Sequence, residues 1–418
     1  MSAVHDIDLS GRGAAEPLAD APRGARSAAA RTSDAPVAIS APRVTSLEAW
    51  LVPLPLERPV RFAAGTWTQW RYVVVRVRAA DGRTGAAYAF IGELPIDLMV
   101  TELIAPAVVG IEDLGDLDDL AERLALAGGP SLVDSVRPAS SLVEMCLWDL
   151  AAQDAGRPLW QLLAPTASPP ARVPVMHVEH RREGDTPAAF AERVAAMAAE
   201  GVAIVKVKDY HDAAETSRRL AAIRAVAPPE LELVVDAGWQ WTDIDAAAAA
   251  ARAWEPYAVS WIEDPFPPHR VREATELRAA TSVPVGIGDL ITSVDLAERL
   301  IAHRAVDVLR VDATTMGGYG GARRLTARAA GAGVDVSPEL LAEQHQHVAF
   351  ACPTARCLEI YSPASGVWSA DAFARPGALA YADAGHALAP ERPGSGLDLD
   401  WEAVERHAER ASRHGEPA

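Results

Sequence analysis

Cysteine and lysine are both scarce in this sequence of 418 residues. The three cysteines, Cys146, Cys352 and Cys357, form no CxxC pair, so neither a disulfide framework nor a cysteine metal site is predicted, and a reducing compartment is favoured. No run of about 18 apolar residues exists, which excludes a predicted membrane span. The N-terminus also lacks the continuous apolar segment of a signal peptide. We therefore expect a cytoplasmic protein without a membrane partner.

The charge balance is strongly negative, with a net charge of −18. A field of that sign repels phosphate backbones, so nucleic acid is excluded as an expected partner. A small anionic substrate stays possible because a metal ion or a local cationic pocket outweighs distant charges. Half of the residues are hydrophobic, which permits a large core and excludes wholesale disorder.

The two lysines stand close together, at Lys206 and Lys208, whereas the other cationic side chains are all arginines. Arginine stays protonated under ordinary conditions, but a lysine amine can be tuned to release and accept a proton. Codon bias that left two lysines by accident is the alternative. The pair otherwise indicates acid–base chemistry.

The chain divides by pattern into four parts. Residues 1–42, rich in Ala, Arg, Pro and Ser, are predicted to be a disordered leader. Residues 43–165 are predicted to form an α+β capping domain, with an antiparallel meander from Val44 to about Phe90 and then helices. The stretch ERPVRFAAGTWTQW between the first two strands is predicted to be a loop that covers something.

Residues 166–375 alternate short apolar strands with Ala/Arg/Glu-rich helices. Eight such strands in series predict an α/β fold with a parallel (β/α)8 barrel of the TIM type. Residues 376–418 are predicted to return to the capping domain.

Ionisable residues stand at the carboxyl ends of these strands, about one strand–helix unit apart. They are Lys206 and Lys208, Asp236, Glu263, Asp289, Asp312, Glu339 and Glu359. In such a barrel these strand ends converge on the face where active sites form. A single Asp could be a helix cap, but the whole series predicts an active site.

Asp236, Glu263 and Asp289 follow three consecutive strands, so their carboxylates can meet. Three like charges repel one another unless a cation neutralises them, and an all-oxygen ligand set indicates Mg²⁺. Three helix caps are the alternative.

Lys206 and Lys208 are two residues apart on one strand and point to the same face. Each disfavours the charged form of the other, as does burial. One of them can therefore act as a general base that removes the proton α to a carboxylate, while a metal stabilises the enediolate.

Several motifs together resemble the mandelate racemase group of the enolase superfamily (mandelate racemase/muconate lactonizing enzyme-like). They are LWDLAAQDAGRPLWQLL, VKVK, VVDAGWQW, WIEDP, GIGD, DVLRVDATTMGG, PTARCLE and PGSGLDLDWEAV. The resemblance implies that Lys208 is the general base with Lys206 as its partner. It implies that Asp236, Glu263 and Asp289 bind Mg²⁺ and that Glu359 hydrogen-bonds the substrate carboxylate. It also implies that the loop of the capping domain closes the site and sets specificity.

Two positions depart from that group. Asp289 stands where the group usually has Glu. More important, Glu339 stands where the group has the histidine of a His–Asp dyad, although Asp312 matches the aspartate. His345 and His347 follow on the next predicted helix and are expected to be surface or packing residues.

These features predict a lyase or isomerase that acts on a small carboxylate substrate. Our hypothesis is that Lys208 removes the α-proton and that a protonated Glu339, sharing a proton with Asp312, acts as general acid. The reaction would be dehydration of a sugar acid or related hydroxy acid to a 2-keto acid. The alternatives are a racemase or epimerase of an α-hydroxy acid or amino acid derivative, and a metal-binding relic without turnover.

Lesser candidates line the predicted loop and the first barrel strand. Arg58, Arg61 and Trp67 could contact a distal substrate group or belong to an ordinary solvated loop. His177 and His180 could line the pocket or be packed core histidines. A homo-oligomer is expected because such barrels often assemble.

Overall fold

The computed structural model describes residues 42–62, 65–90, 94–164, 170–208, 212–361, 365–375 and 377–415. These residues belong to one compact unit, Ile39–Ala418. Residues 1–41 of the predicted leader lie outside the described residues. No helix in the described part of the chain is long and apolar enough to span a bilayer.

The N-terminal part consists of three long strands and four helices. The strands are β1 (Val44–Phe62), β2 (Gly65–Ala79) and β3 (Thr84–Phe90). The helices are α1 (Ile96–Met99), α2 (Leu120–Ala125), α3 (Val133–Asp154) and α4 (Leu159–Leu163). The antiparallel pairing of β1 with β2 and of β2 with β3 confirms the predicted meander. Alternate residues of β2 enter two different hydrophobic clusters, so this sheet is covered on both faces.

The stretch predicted to be a loop between β1 and β2 is mostly strand, so that prediction is wrong. Val60 pairs with Trp67, and Phe62 pairs with Gly65. The β1–β2 ladder is irregular between Val44 and Ser46 and again between Pro55 and Val60. The stretch contains Gly65 and was predicted to be a loop, but β1 and β2 continue into it from both sides.

The barrel has the eight parallel strands that the sequence predicts. They are β4 (Arg172–His180), β5 (Ile204–Lys208), β6 (Glu232–Asp236), β7 (Val259–Glu263), β8 (Val285–Ile287), β9 (Val308–Val311), β10 (Asp335–Pro338) and β11 (Leu358–Tyr361). Helices follow the first seven strands. They are α5 (Pro187–Ala199), α6 (Ala213–Val226), α7 (Ile244–Trp254), α8 (Val271–Ala280), α9 (Val294–Ala302), α10 (Gly318–Gly331) and α11 (Ala342–Ala351).

The strands are paired in chain order from β4 to β10, and β11 pairs with β4. β10 is bridged to the segment just before β11, through Val336 and Ala355. In this bridge Val336 N–H donates to Thr354 O at 2.9 Å and Arg356 N–H donates to Val336 O at 2.7 Å. The carboxyl ends of all eight strands therefore open onto one face.

The C-terminal part contains β12 (Tyr381–Asp383), β13 (His386–Leu388), α12 (Trp401–His407) and β14 (Arg410–Gly415). β13 pairs with β4 of the barrel, whereas β14 pairs with β1. The Arg410 guanidinium also donates to the buried Asp97 carboxylate, at 2.5 and 2.8 Å. The end of the chain is thus part of the N-terminal sheet.

Helix α3 joins the two parts of the molecule. Leu142, Met145 and Leu150 of α3 are buried in the same hydrophobic cluster as residues of the N-terminal sheet, which α3 contacts at β2 and β3. The opposite face of α3 is buried against α10. There the Glu144 carboxylate accepts the backbone N–H groups of Tyr319 and Gly320, both at 2.8 Å. Glu144 therefore caps the N-terminus of α10, which begins just after Asp312.

Candidate active site

Both lysines point into the barrel from β5. In the strand register Lys208 is opposite His180 on β4 and Asp236 on β6. Paired residues of adjacent parallel strands lie on the same face, and side chains alternate along a strand. Lys206, two residues earlier, therefore lies one layer deeper and is fully buried, whereas Lys208 lies near the mouth and is 5% exposed.

The lysines contact carboxylates from three other strands. Lys208 Nζ lies 3.2 Å from Asp236 Oδ2. Lys206 Nζ lies 3.7 Å from the same oxygen and forms ion pairs with Glu263 and Glu359. Because buried charges are costly unless they are paired, this network is what permits two lysines in a barrel interior.

A third cation, Arg310 on β9, completes the network from the other side. Its guanidinium is fully buried and forms ion pairs with Glu339 and Glu359, and its Nε lies 3.2 Å from Glu263 Oε2. It also donates to the Ser337 side chain. Arg310 was not singled out from the sequence, although it lies two residues before Asp312 and must share its inward direction.

Arg310 and Lys206 together bind both Glu263 and Glu359. Burial alone would raise the pKa of Glu263, but Arg310 and Lys206 outweigh it and lower that pKa to about 2. Oxygens of Glu263, Glu339 and Glu359 lie within 4.8 Å of one another, which is the only such trio of carboxylates among the described residues. The predicted ligand set of Asp236, Glu263 and Asp289 is more widely spaced.

The predicted magnesium ligands follow one another at the carboxyl ends of β6, β7 and β8. Asp236 and Glu263 are opposite each other in the register, and Asp289 follows β8 by two residues. Burial raises the pKa of Asp289 well above its usual value, and the charges of Glu339 and Asp236 act in the same direction. An oxygen-only donor set with excess negative charge fits Mg²⁺, and the ligand assignment stays a prediction.

Glu339 and Asp312 bind different partners. Glu339 accepts a hydrogen bond from Arg310. Asp312 Oδ1 accepts hydrogen bonds from Thr314, at 2.7 Å from the backbone N and 2.6 Å from Oγ1, and lies 3.3 Å from His345 Nε2. The structure therefore gives no support to a proton shared between the two carboxylates.

His345 and His347 are packing residues, and neither is exposed. The His345 ring accepts the Ala313 N–H at Nε2 (2.9 Å) and donates from Nδ1 to Leu340 O (2.7 Å). Leu340 and Leu341 both have positive φ. Helix α11 begins directly after this turn, and its first turn brings His345 next to Asp312.

The mouth carries two further inward residues, His180 at the end of β4 and Tyr361 at the end of β11. Their rings stack with centroids 5.4 Å apart, and Lys208 Nζ lies 5.9 Å from the Tyr361 ring centroid. Tyr361 was missed from the sequence. The signal for it was the two-residue alternation that makes it follow Glu359 on the same face.

The lesser candidates are placed differently from one another. Arg58 on β1 donates from its side chain to Ser365 O and, at 3.4 Å, to Arg181 O, beside the end of β4. Trp67 is partly buried beside the same hydrophobic cluster as Tyr361. His177 lies on the outward face of β4, where Nε2 is 3.0 Å from Ala384 O. The Arg61 side chain lies outside the described residues.

Comparison with known proteins matches both parts of the chain to one superfamily. The family described as "Enolase C-terminal domain-like" matches residues 189–404, and the family described as "Mandelate racemase / muconate lactonizing enzyme, N-terminal domain" matches residues 46–164. Each match falls on a part of the structure described above.

Two relatives, one of them with a solved structure, illustrate the similarity. An L-talarate/galactarate dehydratase of Salmonella typhimurium is 28% identical over 70% of this chain and 73% of its own. A D-xylonate dehydratase of Haloferax volcanii is 27% identical over 80% of this chain and 85% of its own. The crystal structure of the Salmonella typhimurium enzyme liganded with Mg and L-lyxarohydroxamate superposes with a TM-score of 0.80 at 25% identity, covering 94% of this chain and 100% of that one.

Proposed function

Because the chain belongs to the enolase superfamily, in its mandelate racemase and muconate lactonizing enzyme group, we propose that it is a Mg²⁺-dependent dehydratase. In this proposal it removes the α-proton of a sugar acid or related hydroxy acid and releases water to give a 2-keto acid. The relatives described above, two dehydratases of sugar acids, support this reaction class.

The observation that carries the proposal is the position of the chain's only two lysines. Both enter the barrel from β5, and they contact carboxylates on β6, β7 and β11. Lys208 is the outer of the two and lies at the mouth, so we assign it as the base that takes the α-proton. Lys206 is the inner one, and we assign it to holding Glu263 and Glu359 in place.

Asp236, Glu263 and Asp289 would hold the magnesium ion, which supplies positive charge to the substrate carboxylate and so stabilises the enediolate. We assign Glu359 to a contact with the substrate carboxylate, as the family resemblance implies. Both of its oxygens already bind cations, Lys206 and Arg310, so its orientation is fixed before substrate arrives.

One base on one face favours dehydration over racemisation. A racemase needs a second base on the face opposite the lysine, and the residue there, Glu339, accepts a hydrogen bond from Arg310. A second functional base is therefore not evident at that position among the described residues. Arg58 and Trp67 are proposed to contact the distal end of the substrate. Of the two histidines on β4, we propose that His180, and not His177, lines the pocket.

A screen for product tests the proposal. The purified protein is incubated with Mg²⁺ and a panel of aldonic, aldaric and α-hydroxy acids, and 2-keto acids are detected as semicarbazones. We expect a 2-keto acid from at least one sugar acid, abolished by a chelator and by Lys208→Met. A stereoisomer without any keto acid would instead identify a racemase or epimerase, and no change in any compound would identify a relic.

A further inference from the structure

Tyr361 is the last residue of β11 and stands at the mouth of the barrel. It is opposite Val178 in the register with β4, two residues above Glu359 on the same inward face. Only 6% of it is exposed. The side chain is fixed by ring contacts, with His180 at 5.4 Å and Trp368 at 5.6 Å between centroids.

The ring of Tyr361 is next to the proposed base. Lys208 Nζ lies 5.9 Å from its centroid, and His180, which stacks on the ring, is the register partner of Lys208. The Tyr361 ring therefore borders the space in front of Lys208, where the substrate α-carbon would lie in the proposed reaction.

The two carboxylates on the opposite side, those of Glu339 and Asp312, already accept hydrogen bonds from neighbouring residues. Glu339 accepts from Arg310, and Asp312 accepts two hydrogen bonds from Thr314. A general acid must instead present a proton. Among the described residues at the mouth, Tyr361 carries a hydroxyl group.

We propose that Tyr361 is the general acid that protonates the departing β-hydroxyl group. This inference rests on the dehydration proposed above. Lys208 takes the α-proton, the β-carbon–oxygen bond breaks with its electron pair on oxygen, and the Tyr361 Oη–H proton converts the leaving group to water. The enol product becomes the 2-keto acid. Lys208 has then gained one proton and Tyr361 has lost one, and transfer between these neighbours restores the starting state.

The protonation state of the phenol agrees with this role. Burial raises the pKa of Tyr361, although the positive charges of Lys208 and Lys206 oppose that effect. The hydroxyl therefore keeps its proton at neutral pH until a leaving group needs it.

The Tyr361→Phe variant separates the acid from the base, because it keeps the ring that stacks on His180 and loses only the hydroxyl. With Mg²⁺ and a panel of aldonic and aldaric acids that includes galactarate and D-xylonate, proton NMR in D2O follows both α-proton exchange and keto acid formation. We expect exchange within about three-fold of the unaltered protein and keto acid formation reduced by roughly 10²–10⁴-fold, the usual contribution of a general acid.

A substrate analogue makes the test specific for proton donation. Fluoride leaves without being protonated, so a 3-deoxy-3-fluoro acid should be processed by Tyr361→Phe at close to the normal rate. The control, Tyr319→Phe, removes the hydroxyl of another buried tyrosine, one that donates to Gln344 O on the outer side of the barrel, and should dehydrate the panel normally.

Three results would overturn the inference. Full dehydration by Tyr361→Phe would do so, and so would an equal loss with the hydroxyl and fluoro substrates, since that pattern indicates a structural role. If Glu339→Gln kept α-proton exchange but lost dehydration, Glu339 and not Tyr361 would be the general acid. An absence of exchange and keto acid in the unaltered protein would overturn the proposed function itself, which distinguishes the two failures.

Discussion

Arg310 and Lys206 are single residues with the same role, which is to neutralise the buried carboxylates of Glu263 and Glu359. Each is a fully buried cation between Glu263 and Glu359, and Arg310 also binds Glu339. Removing one partner of a buried ion network leaves uncompensated charge, which costs more than the intact network contributes. The stability of the barrel should therefore depend on every charged side chain of this network, since removing one charge leaves its partners unpaired.

The Arg310→Met variant tests this balance. Three carboxylates would lose a shared cation, so we expect the free energy of unfolding to fall by about 3–5 kcal/mol, measured by urea denaturation. The double variant Arg310→Met/Glu339→Gln removes one of the unpaired charges and should recover part of the loss. Unaltered stability of the single variant, or no recovery in the double variant, would contradict the account.

His347 should make stability depend on pH. Burial lowers the pKa of His347 to about 4, whereas an unfolded histidine has a pKa near 6.5. The stability that depends on the neutral ring is therefore complete above about pH 6.5 and is lost as the pH falls toward 4. The full effect approaches about 3 kcal/mol, since one pKa unit is worth about 1.4 kcal/mol.

His347→Gln keeps a donor for Ser395 O and an acceptor for the Trp160 N–H, the two partners of the ring. Urea unfolding at pH 7.5 and 4.5 should show a smaller loss on acidification in this variant than in the unaltered protein. Substitution of the exposed His269 serves as control. Parallel losses in His347→Gln and the unaltered protein would refute the assignment.

The sequence revealed the lysines and carboxylates of the site because each ends a barrel strand. Arg310 was not predicted as a site residue because the sequence contains many arginines. Only its ion pairs with inward-facing carboxylates on neighbouring strands distinguish it from them. His345 is a packing residue, one of the two roles expected for it, but its contact with Asp312 was not predicted, because the left-handed turn at Leu340 and Leu341 has no sequence signature. A glycine or an asparagine at these positions would have predicted such a turn.

At the level of elements, the contact between α3 and α10 fixes the loop that carries Asp312. The sequence predicted helices in this region, but the burial of the α3 face that carries Glu144 could not be predicted because a charged side chain usually lies on the surface. Here the carboxylate caps a helix whose N-terminal N–H groups lack intrahelical partners. Burial raises the pKa of Glu144 to about 8, against the opposing effect of the Gly320 and Tyr319 N–H groups.

Two glycines of α10 provide a matched test of this contact. Gly318 has φ +70°, and a Cβ there would overlap the Glu144 carboxylate, whereas Gly331 has nothing within 4 Å of its Cβ position. We expect Gly318→Ala to lower the unfolding free energy by about 2 kcal/mol or more from strain and the lost cap. Gly331→Ala should be neutral or stabilising by up to about 1 kcal/mol. Thermal melts compare them, and equal effects would contradict the contact.

At the scale of the whole molecule, the N-terminal sheet and the barrel are built from interleaved parts of the chain. β14 completes the sheet that β1 begins, while β13 extends the barrel at β4. The repeating strand–helix pattern revealed the barrel because its period is regular. The β1–β2 hairpin was predicted, but its extension through the stretch taken as a loop was not. The expected homo-oligomer stays a prediction.

Magnesium should stabilise the whole fold, since a ligand that binds only the folded state raises its stability by mass action. At 100 times the Kd the gain is about 2.7 kcal/mol, so the melting temperature should rise with added Mg²⁺. Asp236→Asn should abolish the rise, and Asp245→Asn, at an exposed position on α7, should retain it. A Mg²⁺-dependent rise that survives in Asp236→Asn would place the ion elsewhere.

The most direct test of the central claim is α-proton exchange followed by NMR in D2O with Mg²⁺ and the same panel of acids. We expect the α-proton signal of at least one sugar acid to disappear with the unaltered protein and to persist with Lys208→Met. Exchange at an equal rate in Lys208→Met would show that another group removes the proton and would contradict the account.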